Sequence, residues 1–212
     1  MVRSTITKIE DLKGKTVAVA SPGSLPNMLI DAILKKYQIA PTEVRFANLG
    51  GDLDRYKAVV AGVADAGIVA AEFMAVAPKD VTMLVVGYDA LPNYIRLCLT
   101  MTGKTLAGRR EDAINFVAAE MDALKFAPSA RDDTIKLTKD TNNYKPDDPR
   151  PAYIFDDTVK HKAADPTIAL LLDNLRWMQD ELVKAGNLNE PIDLAKITDP
   201  DIRAEAAKRT AK

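Results

Sequence analysis

The chain has 212 residues, 47% of them hydrophobic and 28% charged, and its 29 lysines and arginines nearly cancel its 30 aspartates and glutamates. Such a composition belongs to a folded protein with room for one large domain or two small ones, and the balanced charge leaves no footprint for nucleic acid. One cysteine, Cys98, and one histidine, His161, exclude an internal disulfide framework and a zinc site of the usual Cys/His spacing. No motif calls for a metal, a cofactor or a catalytic cluster. No apolar run reaches the roughly 20 residues that cross a bilayer, and the opening MVRSTITKIEDLKGK lacks the apolar core of an export signal.

The first ninety residues alternate regularly. TVAVA, Thr16 to Ala20, is a short apolar run, and Leu25, Met28, Leu29, Ala32 and Ile33 then recur at helical spacing. Glu43 to Gly51 reads as a second strand ending in a glycine pair, followed by a helix with Asp52 as its expected cap and Leu53, Tyr56, Val59, Val60 and Val63 along it. DAGIVAAEF and VTMLVVGYD add two apolar runs with a short helix between them. Strands alternating with helices predict right-handed crossovers and a mostly parallel sheet. After Leu91-Pro92 the pattern changes. NYIRLCLTMT reads as one further strand, with Cys98 as a small core residue within it. Helices follow, over Leu106–Ala127 and, beyond a Pro- and Asp-rich stretch, over Thr167–Ala185. The last helix lines up Ile168, Leu171, Leu172, Leu175, Met178 and Leu182 and ends at Gly186, a natural C′ residue. His161 lies in a charged stretch and reads as solvated.

These blocks carry a resemblance. KIEDLKGKTVAVASPGS, then VRFANLGGDLDRYKAVVAGVADAGIVAAEF, then ALLLDNLRWMQDELVKAGNLNEPIDLAKITDPDI resemble, in that order, the substrate-binding proteins of nitrate/sulfonate/taurine-type ABC importers and their pyrimidine-precursor-binder-like relatives. DLKGK is the strongest match, and AVVAGVADAGI is similar to the family's helix-strand junction. The resemblance implies an α/β, type II periplasmic-binding-protein-like fold. One complete parallel-rich lobe over residues 4–92 would be followed by a return crossing strand over 93–103 and the mainly helical C-terminal part of the other lobe over 104–212. It also implies a chain truncated at its N-terminus, whose parent works in the periplasm.

SPGS, LGGD and AAEF all fall at carboxyl ends of strands, where open α/β sheets bind ligands. A helix N-terminus after SPGS offers unpaired N–H donors and a partial positive charge, suited to a sulfonate, carboxylate or phosphate. Pro26 weakens the site by removing one donor. The candidate ligand-binding residues are Ser21, Gly23, Ser24, Asn27, Gly50, Gly51, Asp52, Glu72, Asn93 and Tyr94. Each has a second reading. Ser24 is equally a helix cap worth about 1 kcal/mol, and Gly50-Gly51 reads as a tight turn before it reads as a close approach to a ligand. Asp52 is a cap more often than a contact, Glu72 is as readily a solvated rim residue and Tyr94 a residue packed at a hinge, and Asn27 and Asn93 are the weaker candidates.

The resemblance implies a noncatalytic protein that captures a small anionic organic solute between two lobes and delivers it to an ABC permease in the membrane. The alternative is an enzyme on the same fold, of desulfinase, pyrimidine-synthase or chorismate-dehydratase type, for which Cys98 and His161 supply no recognisable reactive pair. A regulator's effector lobe is a third reading, and it would need DNA-binding helices upstream. The apolar faces of Leu106–Ala127 and of the helix from Thr167 are expected to lack their natural cover, forgoing on the order of 10 kcal/mol of burial at about 25 cal/mol per Å2. The cover is expected from the chain's own α/β lobe, reached by an altered path after Asn93, or from a homodimer joined through those helices, and the homodimer is the favoured expectation.

Overall fold

Short apolar runs separated by amphipathic segments build a layered unit from the N-terminal part of the chain. The structure, a computed structural model, describes residues 1–210. It divides into two compact units. The first holds Met1–Tyr94 and Met178–Glu190, and the second Ile95–Trp177 and the residues from Pro191 onward.

The first unit runs β1 (Val2–Arg3), β2 (Thr16–Val19), α1 (Leu25–Lys36), β3 (Arg45–Asn48), α2 (Asp52–Val60), β4 (Ala66–Gly67), β5 (Val81–Thr82) and α3 (Gly87–Ala90). Among the described residues the sheet has five strands in the order β3-β2-β4-β1-β5. β2 pairs parallel with both neighbours, Thr16 opposite Arg45 through Val19 opposite Asn48 on one side and Val17 opposite Ala66 on the other. β1 pairs antiparallel with β4 and β5, so the sheet is mixed. Two residues leave no alternation to read, which is why β1 has no signature in the sequence.

Alternation along β2 supplies both layers. Val17 and Val19 share one core cluster with Ile30, Ile33 and Leu34 of α1. Ala18 faces the other way, clustered with Ala58 and Val59 of α2 and with Val81. Each fully buried Ile, Leu or Val side chain contributes about 1.5–3 kcal/mol.

The second unit is helical. It contains α4 (Gly103–Gly108), α5 (Arg110–Phe126), α6 (Arg131–Thr141), α7 (Arg150–His161), the beginning of α8 (Leu172–Lys184), α9 (Leu194–Ile197) and α10 (Pro200–Ala207). Its core lies between α5 and α10, where Ala113, Ile114, Val117, Ala118 and Met121 meet Ile202 and Ala206. Asp199 caps α10 through the Ile202 N–H and accepts Arg110 Nη1 at 2.7 Å, tying α10 to α5. Arg131 donates from Nε and Nη2 to Asp156 at 2.8 Å each, joining α6 to α7.

Several expectations are corrected here. Asn93–Thr102 forms no strand, because no neighbouring strand offers it a ladder among the described residues; Cys98 is exposed there, and Leu97 is 84% exposed. The face of Ile114, Val117 and Met121, expected to lack cover, is buried by α10 of the same unit. That removes the argument for a homodimer from this helix. The helix expected from Thr167 begins at Leu172 instead. Asp165 accepts the N–H groups of Thr167 and Ala169 and the Thr167 hydroxyl, holding a side-chain turn in place of a helical one. Ile168 follows with a left-handed φ of 46° and packs against the α5–α10 core. The Pro- and Asp-rich stretch contains α6 and α7, since Pro151 stands in the first turn of α7, where no N–H is needed. His161 has Asp157 one turn before it at 3.6 Å.

Candidate functional site

β3, β2 and β4 are adjacent and parallel, so their carboxyl ends open at one edge of the sheet. The three loops leaving that edge are SPGS, Leu49–Asp52 and Ile68–Glu72.

SPGS folds as a turn of type II pattern. Pro22 stands second, Gly23 stands third with φ +75°, and the Ser24 N–H donates to the Ser21 carbonyl at 3.1 Å. Ser24 occupies the N-cap of α1, yet its hydroxyl does not cap. It donates back to the Ser21 carbonyl at 2.6 Å. No side chain accepts from the first turn of α1 among the described residues, and Pro26 lacks an N–H, so the amides of Leu25 and Asn27 are the open donors there. The Asn27 side chain is engaged elsewhere, donating to Asp31 at 3.0 Å.

One neighbour of this turn comes from far along the chain. After α8, the Gly186 N–H donates to the Val183 carbonyl and the Asn187 N–H to the Leu182 carbonyl, with Gly186 at φ +74°. That is the Schellman arrangement, and it fulfils the C′ role read for Gly186. It seats the Asn187 carboxamide against the α-carbon of Gly23, leaving no space for a β-carbon. Nothing in local sequence signals the contact, because its partners lie in different elements.

In the second loop Gly50 needs glycine for its φ of +70°, and a β-carbon there would meet nothing within 4 Å. Gly51, not Asp52, is the N-cap of α2. Asp52 is the first helical residue, and its Oδ1 accepts the Ala70 N–H at 2.9 Å and Arg55 Nη2 at 2.8 Å. The carboxylate therefore joins the second loop to the third. Arg55 has no signature in the sequence, where it is one charge on an amphipathic helix; its side chain is only 3% exposed. Glu72 lies half-buried in the first turn of a short 3-10 helix, Ala71–Val76. Asn93 and Tyr94 lie after α3 in a turn closed by the Tyr94 N–H on the Leu91 carbonyl, and no hydrogen bond or ring contact joins them to the three loops.

The loops thus bring Ser21, Gly23, Ser24, Gly50, Gly51, Asp52 and Glu72 to one edge. The donors they leave open are the Ser21 hydroxyl and the helix-start amides, which hydrogen-bond to a small polar or anionic group. Among the described residues no group of acidic, histidine and cysteine side chains is placed to hold a metal ion, and no helix is long and apolar enough to cross a membrane.

The profile of the NMT1/THI5-like family matches residues 2–132, which include all three loops. The chain belongs to the NMT1/THI5-like family. Over 98% of its length it also superimposes, at a TM-score of 0.66 and 14% identity, on a solved structure described as the periplasmic sulfonate-binding protein SsuA of a sulfonate ABC transporter from Methylobacillus flagellatus KT. The likeness shows a type II periplasmic-binding-protein fold, and the chain of this NMT1/THI5-like protein spans 64% of that structure's length. No curated protein matches significantly.

Proposed function

We propose that this NMT1/THI5-like chain is the solute-binding part of an ABC importer, capturing a small anionic organic solute and passing it to a membrane permease from the periplasmic side. In this reading residues 4–92 form one lobe, 93–103 the segment crossing back, and 104–212 the C-terminal part of the other lobe. The observation that carries it is the family match across the three strand-end loops, supported by the likeness to a sulfonate-binding protein. The Ser21 hydroxyl and the amides of Leu25 and Asn27 are the proposed contacts, with the Ser24 hydroxyl held on the Ser21 carbonyl and Glu72 at the edge for a solute that also carries an amine.

Titration calorimetry with taurine, ethanesulfonate, nitrate and benzoate tests the reading. At least one should bind, and Ser21→Ala should weaken that binding roughly tenfold, the loss of one hydrogen bond to a charged group. Absence of measurable binding for all four at millimolar concentration would overturn it.

A further inference from the structure

Arg55 sits one turn into α2, and its buried guanidinium reaches out of the helix. Nε donates to the Ile68 carbonyl at 2.6 Å, Nη1 to the Gly50 carbonyl, and Nη2 to Asp52 Oδ1 at 2.8 Å. The same Asp52 oxygen accepts the Ala70 N–H at 2.9 Å. An ordinary i, i+3 pair on a helix surface keeps both partners in water and is worth little. Here the cation is withdrawn from solvent and two donors are spent on main-chain carbonyls of two different loops, a costly placement that a planar, five-donor fork can satisfy and an ammonium cannot. Those loops leave β3 and β4, the strands on either side of β2. A bridge between them fixes the spacing on both sides of the SPGS turn.

We propose that Arg55, acting with Asp52, is a positioning residue that locks the two outer loops together and so holds the solute-contacting edge in one shape. The proposal rests on the solute-binding reading above. It assigns Asp52 to the lock and not to the solute, and it separates the geometry of Arg55 from its charge.

The test compares the whole chain carrying Arg55→Lys or Asp52→Asn with the unmodified protein. Two readouts are used: amide hydrogen exchange, and calorimetry against whichever of the four solutes binds tightest. Arg55→Lys keeps the charge but not the fork. It should speed exchange of the Ala70 amide and lower affinity about tenfold or more, while amides of α1 and β2 keep their protection. Asp52→Asn, at an exposed carboxylate, retains one acceptor and should fall between. Lysine restoring unmodified affinity would mean that charge alone matters, and the lock would be wrong. Should Arg55→Lys not fold, Asp52→Asn decides: faster Ala70 exchange with weaker binding upholds the lock, and no change in either overturns it. If the unmodified protein binds none of the solutes, the solute-binding reading fails by itself, and Ala70 exchange in Asp52→Asn alone upholds or overturns the lock.

Discussion

In the first unit β2 divides its side chains between two layers, Val17 and Val19 in one cluster with α1 and Ala18 in another with α2. In the second unit burial is concentrated where α5 meets α10, and α6 contains no buried residue. Charged pairs also tie its helices, Arg110–Asp199, Arg131–Asp156 and Arg209–Glu111 among them. Exposed pairs of this kind each contribute about 0–1 kcal/mol, so the second unit depends on one narrow seam while the first is held from both faces of a sheet. A sheet lets one strand serve two cores. A helix pair has a single face to lose.

That contrast is open to direct test. Ile114 is fully buried in the seam, and Ile114→Ala should cost about 3–4 kcal/mol. Native-state hydrogen exchange should show protection lost through α5 and α10 while α1 and β2 keep theirs. Leu34→Ala, at an equally buried site in the first unit, should do the reverse at similar cost. If either substitution opened both units alike, they would not be separate cooperative bodies, and the comparison would break.

A smaller effect is expected at the turn. Gly23→Ala meets a left-handed φ and the Asn187 carboxamide together, and about 2 kcal/mol should be lost in urea unfolding. Adding Asn187→Ala removes the steric part and should return roughly half. A cost that Asn187→Ala leaves untouched would assign the whole effect to backbone conformation.

The smallest effect concerns the charged ties. Arg150 donates to both oxygens of Asp148, from Nε at 3.0 Å and Nη2 at 2.6 Å, and holds its carboxyl down from 3.8 to about 2. A carboxylate with a lowered folded-state pKa contributes stability that is fully present above its unfolded value and is lost as pH falls through about 2. The contribution is on the order of 1 kcal/mol after solvent screening. Carboxyl-carbon NMR should place the Asp148 midpoint near 2, and a midpoint at the ordinary value would show that the pair contributes nothing.

Legibility in the sequence followed the same division. Where apolar residues repeat at a period that one neighbouring layer enforces, as at Leu25–Lys36 and Thr16–Val19, the elements could be read directly. Strand-end loops were legible for a related reason, since Pro-Gly and Gly-Gly mark turns by their backbone requirements. Arg55 was not, because its role depends on carbonyls of residues 50 and 68, and neither carbonyl has a sequence signature. Nor was the cover of α5. The same pattern of Ile114, Val117 and Met121 serves any apolar partner, and only the fold shows that α10 fills the place. Ser24 illustrates a subtler limit, for the sequence fixes its position before the helix but not the direction in which its hydroxyl donates.

The seating of Asn187 on Gly23 has a consequence for biosynthesis. The two residues are 164 positions apart (187 − 23), so the contact has no partner while the N-terminal elements emerge from the ribosome. At about 5–20 residues per second, roughly 8–33 s separate the synthesis of Gly23 from that of Asn187. During that interval the sheet and its two helical layers can assemble from contacts already available. The SPGS turn meanwhile faces solvent on the side that Asn187 later covers, and it acquires its final packing only after α8 has been made.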